Sequence, residues 1–201
     1  MKGTRNLSLL VILGLVLIMG VWGCSGYNGL ISADQNVKKV WGNVETNYQR
    51  RTDLYSSVIK TVEASANFEK STLQAVVEAR AKATSVNVDI NDPKTLEAYQ
   101  QAQTNLQGSF SRLIASFEQY PDLKANQNCM QLQEEIVSTE NKLAFSKQSF
   151  NDSIEKYNAS KKSFFASMVV GFFKSKLDFD FPYWQISEDK IKEQENYTVK
   201  L

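Results

Sequence analysis

Residues 7–22 read LSLLVILGLVLIMGVW, sixteen positions without a charge, and no soluble domain can leave such a run uncovered in water. With Gly23, Cys24, Ser25 and Gly26 it approaches the ~20 apolar residues that cross a bilayer as a helix. Lys2 and Arg5 precede the run; the first charge after it is Asp34 and the first bases are Lys38 and Lys39. The positive-inside bias therefore keeps the N-terminus in the cytoplasm and sends the remainder of the chain across. A cleaved signal peptide shares the charged start, but no A-x-A-like site comes after the run. Gly23-Cys24, where apolar sequence meets polar, leaves lipidation of Cys24 as an alternative to a retained span.

Beyond the anchor the chain is long enough for one domain with a real core. It has three prolines and nine glycines, most of the glycines before residue 30, so the region after the anchor is poor in helix breakers. Apolar side chains recur at helical spacing through Val37, Trp41, Val44, Tyr48, Tyr55, Val58 and Val62, which predicts a long amphipathic helix over about 30–65. Gly23, Gly26 and Gly29 offer a flexible joint between it and the membrane segment. Phe68-Glu69-Lys70 reads as a restart leading to about Thr84, either a separate helix or a kinked extension, and SVNVDIN over 85–91 as a loop. Asp92-Pro93 is an N-cap followed by proline at the first helical position. That helix runs through Leu96, Tyr99, Leu106, Phe110, Leu113 and Phe117 to Tyr120, where Pro121 ends it. After the turn PDLKAN a last long helix carries Cys129, Leu132, Ile136, Leu143, Phe150, Ile154 and Tyr157 on one face. The reading is all-α: an up-and-down bundle of about four long helices behind one N-terminal transmembrane helix. Residues 1–26 form the anchor, 27–181 the bundle and 182–201 a charged, loose tail.

Two charged residues fall in phase with these apolar seams: Arg51 between Tyr48 and Tyr55, and Glu140 between Ile136 and Leu143. Either each lies at the seam's edge and reaches out to water, or Arg51 forms a partly buried ion pair with Glu140 or Glu118 that fixes helix register. The Phe-rich stretch 163–181 is too interrupted by Lys174, Lys176 and Asp178 to be a second span; it reads as a cap on the bundle or as an element resting on lipid.

Chemistry is sparse. The chain has no histidine, which excludes imidazole acid–base catalysis, Ser-His-Asp and Cys-His arrangements and imidazole metal sites. Cys129, on an apolar seam, reads as a small core residue, and no phosphate loop or dinucleotide fingerprint appears. Twenty-three basic against 22 acidic residues give no surplus for a nucleic-acid backbone. No catalytic residue, metal or cofactor is expected.

With the helices placed, the motifs are similar to those of the LemA family of bacterial membrane-anchored helical proteins. Tyr27-Asn28 comes directly after the span, then Trp41, Gln49-Arg50-Arg51 with Asp53 and Leu54, and VVEAR ending at Arg80. Ser111-Arg112-Leu113, Glu118, the turn Tyr120-Pro121-Asp122-Leu123-Lys124-Ala125-Asn126, LQEEI from Leu132, Thr139-Glu140-Asn141, Phe150-Asn151 and Tyr157-Asn158 stand in the family's order. The sequence departs from the family pattern at Tyr55-Ser56-Ser57, at Phe68 and at Phe164-Phe165. The resemblance implies a bundle on one anchor in a bacterial inner or only membrane, displayed outside the cytoplasm, and implies no agreed activity. The expected function is a non-enzymatic scaffold or adaptor that recruits an envelope protein or self-associates. The alternative is a lipid- or envelope-polymer-binding module using 163–181.

Overall fold

A computed structural model of the chain describes residues 2–64, 68–163, 167, 170, 171 and 179–184, with side chains from residue 10 onward. Five α-helices succeed one another, with no strand among the described residues: α1 Lys2–Glu63, α2 Lys70–Ser85, α3 Pro93–Ser116, α4 Pro121–Lys124 and α5 Gln127–Lys162. A 3₁₀ turn, Phe117–Gln119, joins α3 to α4.

The apolar N-terminal segment, long and apolar enough to cross a membrane, and the first bundle helix are one element. α1 has 62 residues, about 90 Å at 1.5 Å per residue. The expected glycine joint is absent: the helix passes through Gly23, Gly26 and Gly29 unbroken, and none of the described glycines has a positive φ. Glycine lowers helix propensity by roughly 1 kcal/mol without forbidding the conformation, and no proline stands nearby to break the ladder. The first half of α1 is bare, with Leu10 to Trp22 exposing every large apolar side chain. Leu30 is the first buried residue among those whose side chains are described, and from there the same helix supplies Val37, Trp41, Val44, Tyr48, Tyr55, Val58 and Val62 to the core.

Ring and charge contacts give the directions of the helices. Trp41 meets Phe150 and Arg51 meets Glu140, so α5 runs antiparallel to α1. Tyr48 meets Tyr99 and Tyr55 meets Phe110, so α3 runs parallel to it. α2 is a separate helix that returns between them and packs chiefly on α3. The bundle is therefore up-down-up-down, with α4 a single turn at the end far from the bare segment.

Local signals account for the helix ends. Asp92 accepts a hydrogen bond from the Lys94 amide at 2.9 Å with Pro93 at the first helical position. Asn126 caps α5 by accepting from the Cys129 amide at 3.2 Å. α3 stops at Ser116, earlier than the expected Tyr120, because the last turn tightens to 3₁₀ before Tyr120 leaves helical angles ahead of Pro121. Residues 86–91 form the expected loop.

The core falls into two clusters. One, toward the bare segment, joins Leu30, Trp41, Tyr48, Leu96, Phe150 and Tyr157 with Phe181 and Trp184. The other, toward α4, joins Tyr55, Val58, Val62, Val76, Leu106, Phe110 and Leu113. The first cluster corrects the boundary after residue 181. Trp184 is only 8% exposed and belongs to the core, because its ring finds an aromatic floor and its backbone a partner on α5. The rest of the charged tail, 185–201, and most of the Phe-rich stretch lie outside the described residues.

Candidate functional site

The two clusters meet at Arg51. Its place on the α1 seam forces the side chain inward, where it is 1% exposed and the largest fully buried side chain among the described residues. A buried guanidinium must be hydrogen-bonded and neutralised. Nη1 donates to Glu140 Oε1 at 3.2 Å; Nη2 donates to Gln103 Oε1 at 2.6 Å and to the Gln103 carbonyl at 3.2 Å. Tyr55 adds its hydroxyl to the same Glu140 oxygen at 3.3 Å. The guanidinium also lies 4.7 Å from the ring centre of Tyr48 and 5.6 Å from that of Tyr55, a cation–π contact on each side. Tyr55 stacks flat on Phe110 at 3.7 Å. Glu140 keeps 28% of its side chain exposed, so the carboxylate stays partly hydrated while the guanidinium does not.

Burial pushes the phenols of Tyr48 and Tyr55 well above their ordinary range, with Arg51 opposing the shift, and pushes Tyr99 up to about 12. These hydroxyls therefore remain protonated at neutral pH. The arrangement ties α1, α3 and α5 together at one level, and a one-turn slip of any of them would strand the charge. It offers no nucleophile: the thiol of Cys129 is fully buried, and burial raises its pKa.

Of the two acids named as partners for Arg51, Glu140 is the one within reach; Glu118 pairs with Lys124 at the α4 end. Arg50, one residue along, is exposed and meets Glu135 on α5 at 2.7 Å. Asp53 is exposed and accepts from Gln49 at 2.9 Å. Tyr120 packs on Phe68 at 4.8 Å, Pro121 opens α4 with Asp122 in its first turn, and Leu123 is buried beneath it. Trp41 sits in the aromatic cluster, with Tyr27 packed against that cluster and Asn28 exposed. Cys24 is exposed on the bare helix. Asn151 and Asn158 face the segment 179–184: Asn151 bonds the backbone of Trp184 and Asn158 the hydroxyl of Tyr183.

Sequence reasoning missed Gln103 and Trp184. Gln103 was detectable, since it stands in phase between Tyr99 and Leu106, as Arg51 and Glu140 do on their seams. Trp184 had a weaker signal, a tryptophan at the head of a charged tail. On the opposite face of the α1–α5 pair an open groove of about 560 Å³ is lined by Asn43, Thr46, Asn47, Asn141, Lys142 and Phe145 among others. Phe145 is 72% exposed there. No group of three or more metal-ligating side chains occurs among the described residues.

The LemA family profile matches residues 40–200, a span that takes in the Arg51 cluster, α2 to α5 and Trp184. The Protein LemA of Metamycoplasma hominis is 25% identical over 165 residues, covering 81% of this chain and 71% of that protein. The chain belongs to the LemA family.

Proposed function

We propose that this chain is a non-catalytic, membrane-anchored scaffold. It holds a rigid helical bundle on the extracytoplasmic side of a bacterial inner or only membrane, where the bundle recruits an envelope protein or a second copy. The observation that carries the reading is the continuity of α1: one helix is bare and apolar over its first part and becomes the central seam of the core from Leu30 onward. A bundle built on the anchor helix itself moves with it as one body, a geometry suited to display. Lys2 and Arg5 support the orientation, and the lack of histidine together with the inert Cys129 supports the non-catalytic reading.

Crosslinking in native membranes tests it. The expected result is defined adducts through bundle residues such as Phe145, lost in Phe145→Asp; labelling no different from that of an unrelated anchored helix would sink the scaffold reading. The second reading, lipid or envelope-polymer binding through 163–181, draws on one observation. Val170, Phe179 and Phe181 belong to the same hydrophobic cluster as Tyr27, Leu30 and Ile31, the one toward the bare helix. A soluble chain starting at Tyr27 that co-sediments with liposomes, and ceases to do so when cut after Lys162, would favour this reading over the first.

A further inference from the structure

The outer face of the α1–α5 pair carries a second stripe at helical spacing. On α1 it passes through Asn43, Asn47 and Arg50, and on α5 through Ser138, Lys142, Phe145 and Ser149. The larger part of the groove between them, about 560 Å³, has eight lining residues, six of them Asn, Ser or Thr. Those residue types cost helix propensity relative to the Glu and Lys that usually solvate an exposed helix face. Their concentration in the middle of two long helices therefore calls for a reason other than solubility. The smaller part, about 370 Å³, shares Thr46, Asn47 and Lys142 with the larger and reaches the Arg50–Glu135 pair. From Glu135 to Ser149 the groove follows α5 for about 21 Å.

The chemistry of the lining selects among ligands. The side chains of Asn43, Asn47, Asn141 and Ser149 have no hydrogen-bond partner among the described residues, so three carboxamides, each a donor and an acceptor, remain available to the groove. Thr46 and Ser146 donate to carbonyls of their own helices, at 2.7 Å to Gly42 and 3.0 Å to Leu143, which leaves their oxygen lone pairs. Phe145 is 72% exposed, and carbon makes up most of the lining surface. One lysine and no acid line the larger part, too little charge for a nucleic-acid backbone or a metal ion. A single ring is too little apolar surface for lipid, and an amphipathic helix needs several anchors one turn apart. A sugar ring fits what is left: its C–H face covers an aromatic ring, and its hydroxyls exchange hydrogen bonds with amides. An acetamido substituent adds a donor and an acceptor in the geometry of a carboxamide. The groove walls are already fixed to each other by the Arg51–Glu140 pair and by buried Val44 and Leu143, so binding reorders no backbone.

We infer that this groove is a glycan-binding site that takes an uncharged chain of N-acetylated amino sugars. One sugar stacks on Phe145, with its acetamido and hydroxyl groups on Asn47 and Asn141. Asn141 stands one turn before Phe145, and the antiparallel register of Trp41 with Phe150 and of Arg51 with Glu140 puts Thr46 and Asn47 across from that ring. The length of the groove suits a chain of sugars. The inference goes beyond the scaffold reading and uses from it only the extracytoplasmic orientation, where surface polysaccharides are found.

Isothermal calorimetry of the purified full-length chain in detergent tests this, with the tetrasaccharide of N-acetylglucosamine as probe and maltotetraose as the control of equal length. The expected result is saturable binding of the first, with maltotetraose weaker by about tenfold or more. Phe145→Ala should weaken binding about tenfold and Phe145→Tyr should keep it, while Asn47→Ala combined with Asn141→Ala should weaken it severalfold. These side chains lie outside both core clusters, and an unchanged helical signal in circular dichroism checks that each variant is folded. No binding at millimolar sugar, or binding indifferent to Phe145→Ala, would overturn the glycan site; equal binding of maltotetraose would overturn its preference for acetamido groups. Indifference to the sugar with envelope proteins still crosslinked in native membranes overturns this inference alone. Saturable sugar binding without such adducts supports the glycan site and sinks the scaffold reading.

Discussion

The half of the bundle near the bare helix is aromatic and the far half largely aliphatic, and the difference comes from the length of one helix. α2 has 16 residues, about 24 Å of rise, whereas α5 has 36. α2 therefore covers only the far half, where Val58, Val62, Val76, Leu106 and Leu113 pack as in an ordinary bundle. Next to the bare helix the loop 86–91 and the extended segment 179–184 replace it, and a loop presents fewer side chains per ångström than a helix. Large rings make up the volume: Trp41, Tyr48, Tyr99, Phe150, Tyr157 and Trp184, in tilted and edge-to-face pairs at centre distances of 5.1–6.4 Å for those with Trp41 and Trp184 as hubs or with Phe181 as partner. A half-bundle missing part of one helix is thus closed by aromatic area and by a segment held through side chain-to-backbone hydrogen bonds. The lesson is that one core can be walled by helices alone at one end and completed by an extended segment at the other.

Substitutions can break or sharpen this contrast. The largest effect is expected at the hub of the aromatic half: Phe150 is fully buried, and Phe150→Ala should cost about 4 kcal/mol, against about 3 kcal/mol for the equally buried Leu106→Ala in the far half. Urea unfolding of a soluble chain starting at Tyr27 measures both, and equal, small losses would erase the distinction between the halves. Next comes the junction. Glu140→Ala strands a guanidinium that is 1% exposed and should cost about 3 kcal/mol, most of it recovered when Arg51→Met is added, since an apolar pair avoids the desolvation cost. Exchanging the two charges should rescue Arg51→Glu only in part, because Gln103 and the Tyr48 and Tyr55 rings are arranged for a cation at position 51.

Asn151→Ala removes the backbone clamp and should cost about 2 kcal/mol. The loss should be local: Trp184 fluorescence shifts to the red while the helical signal holds. A global loss of helix would mean that the segment 179–184 is as integral as α2. Alkali should act more gradually. Burial, with Glu45 adding to it, raises the Tyr99 phenol to about 12 from an ordinary 10.0, and burial raises Tyr48 further. The unfolded chain then releases these protons first, so stability is complete below pH 10 and falls as pH rises toward 12. Tyr99→Phe should flatten that fall in melting temperature. Smallest of all is Arg50→Ala: both partners of the Arg50–Glu135 pair are more than half exposed, and its loss should change stability by no more than about 0.5 kcal/mol.

Much of this was legible in order and spacing. The seams of α1, α3 and α5 were readable because a helix buries one face and repeats it every three or four residues. The cap at Asp92 and the stop before Pro121 are local events that need no tertiary partner. Arg51 and Glu140 stood out because a charge in phase with an apolar seam is in conflict with its neighbours. Gln103 is polar without charge and passed as an ordinary helical residue. The glycines before residue 30 suggested a hinge because glycine permits one; they form none here because nothing in the fold demands it.

The sequence by itself determined the apolar N-terminal segment, the all-α class, the helix seams and the absence of imidazole chemistry, because each depends on composition or on short-range periodicity. Only the tertiary structure decided that the apolar segment and the first seam are one helix, that Arg51 is shared by Gln103 and Glu140, and that Trp184 belongs to the core. Those three facts join residues separated by dozens of positions, and such pairings are set by how helices of unequal length fill a common volume, which no local pattern records.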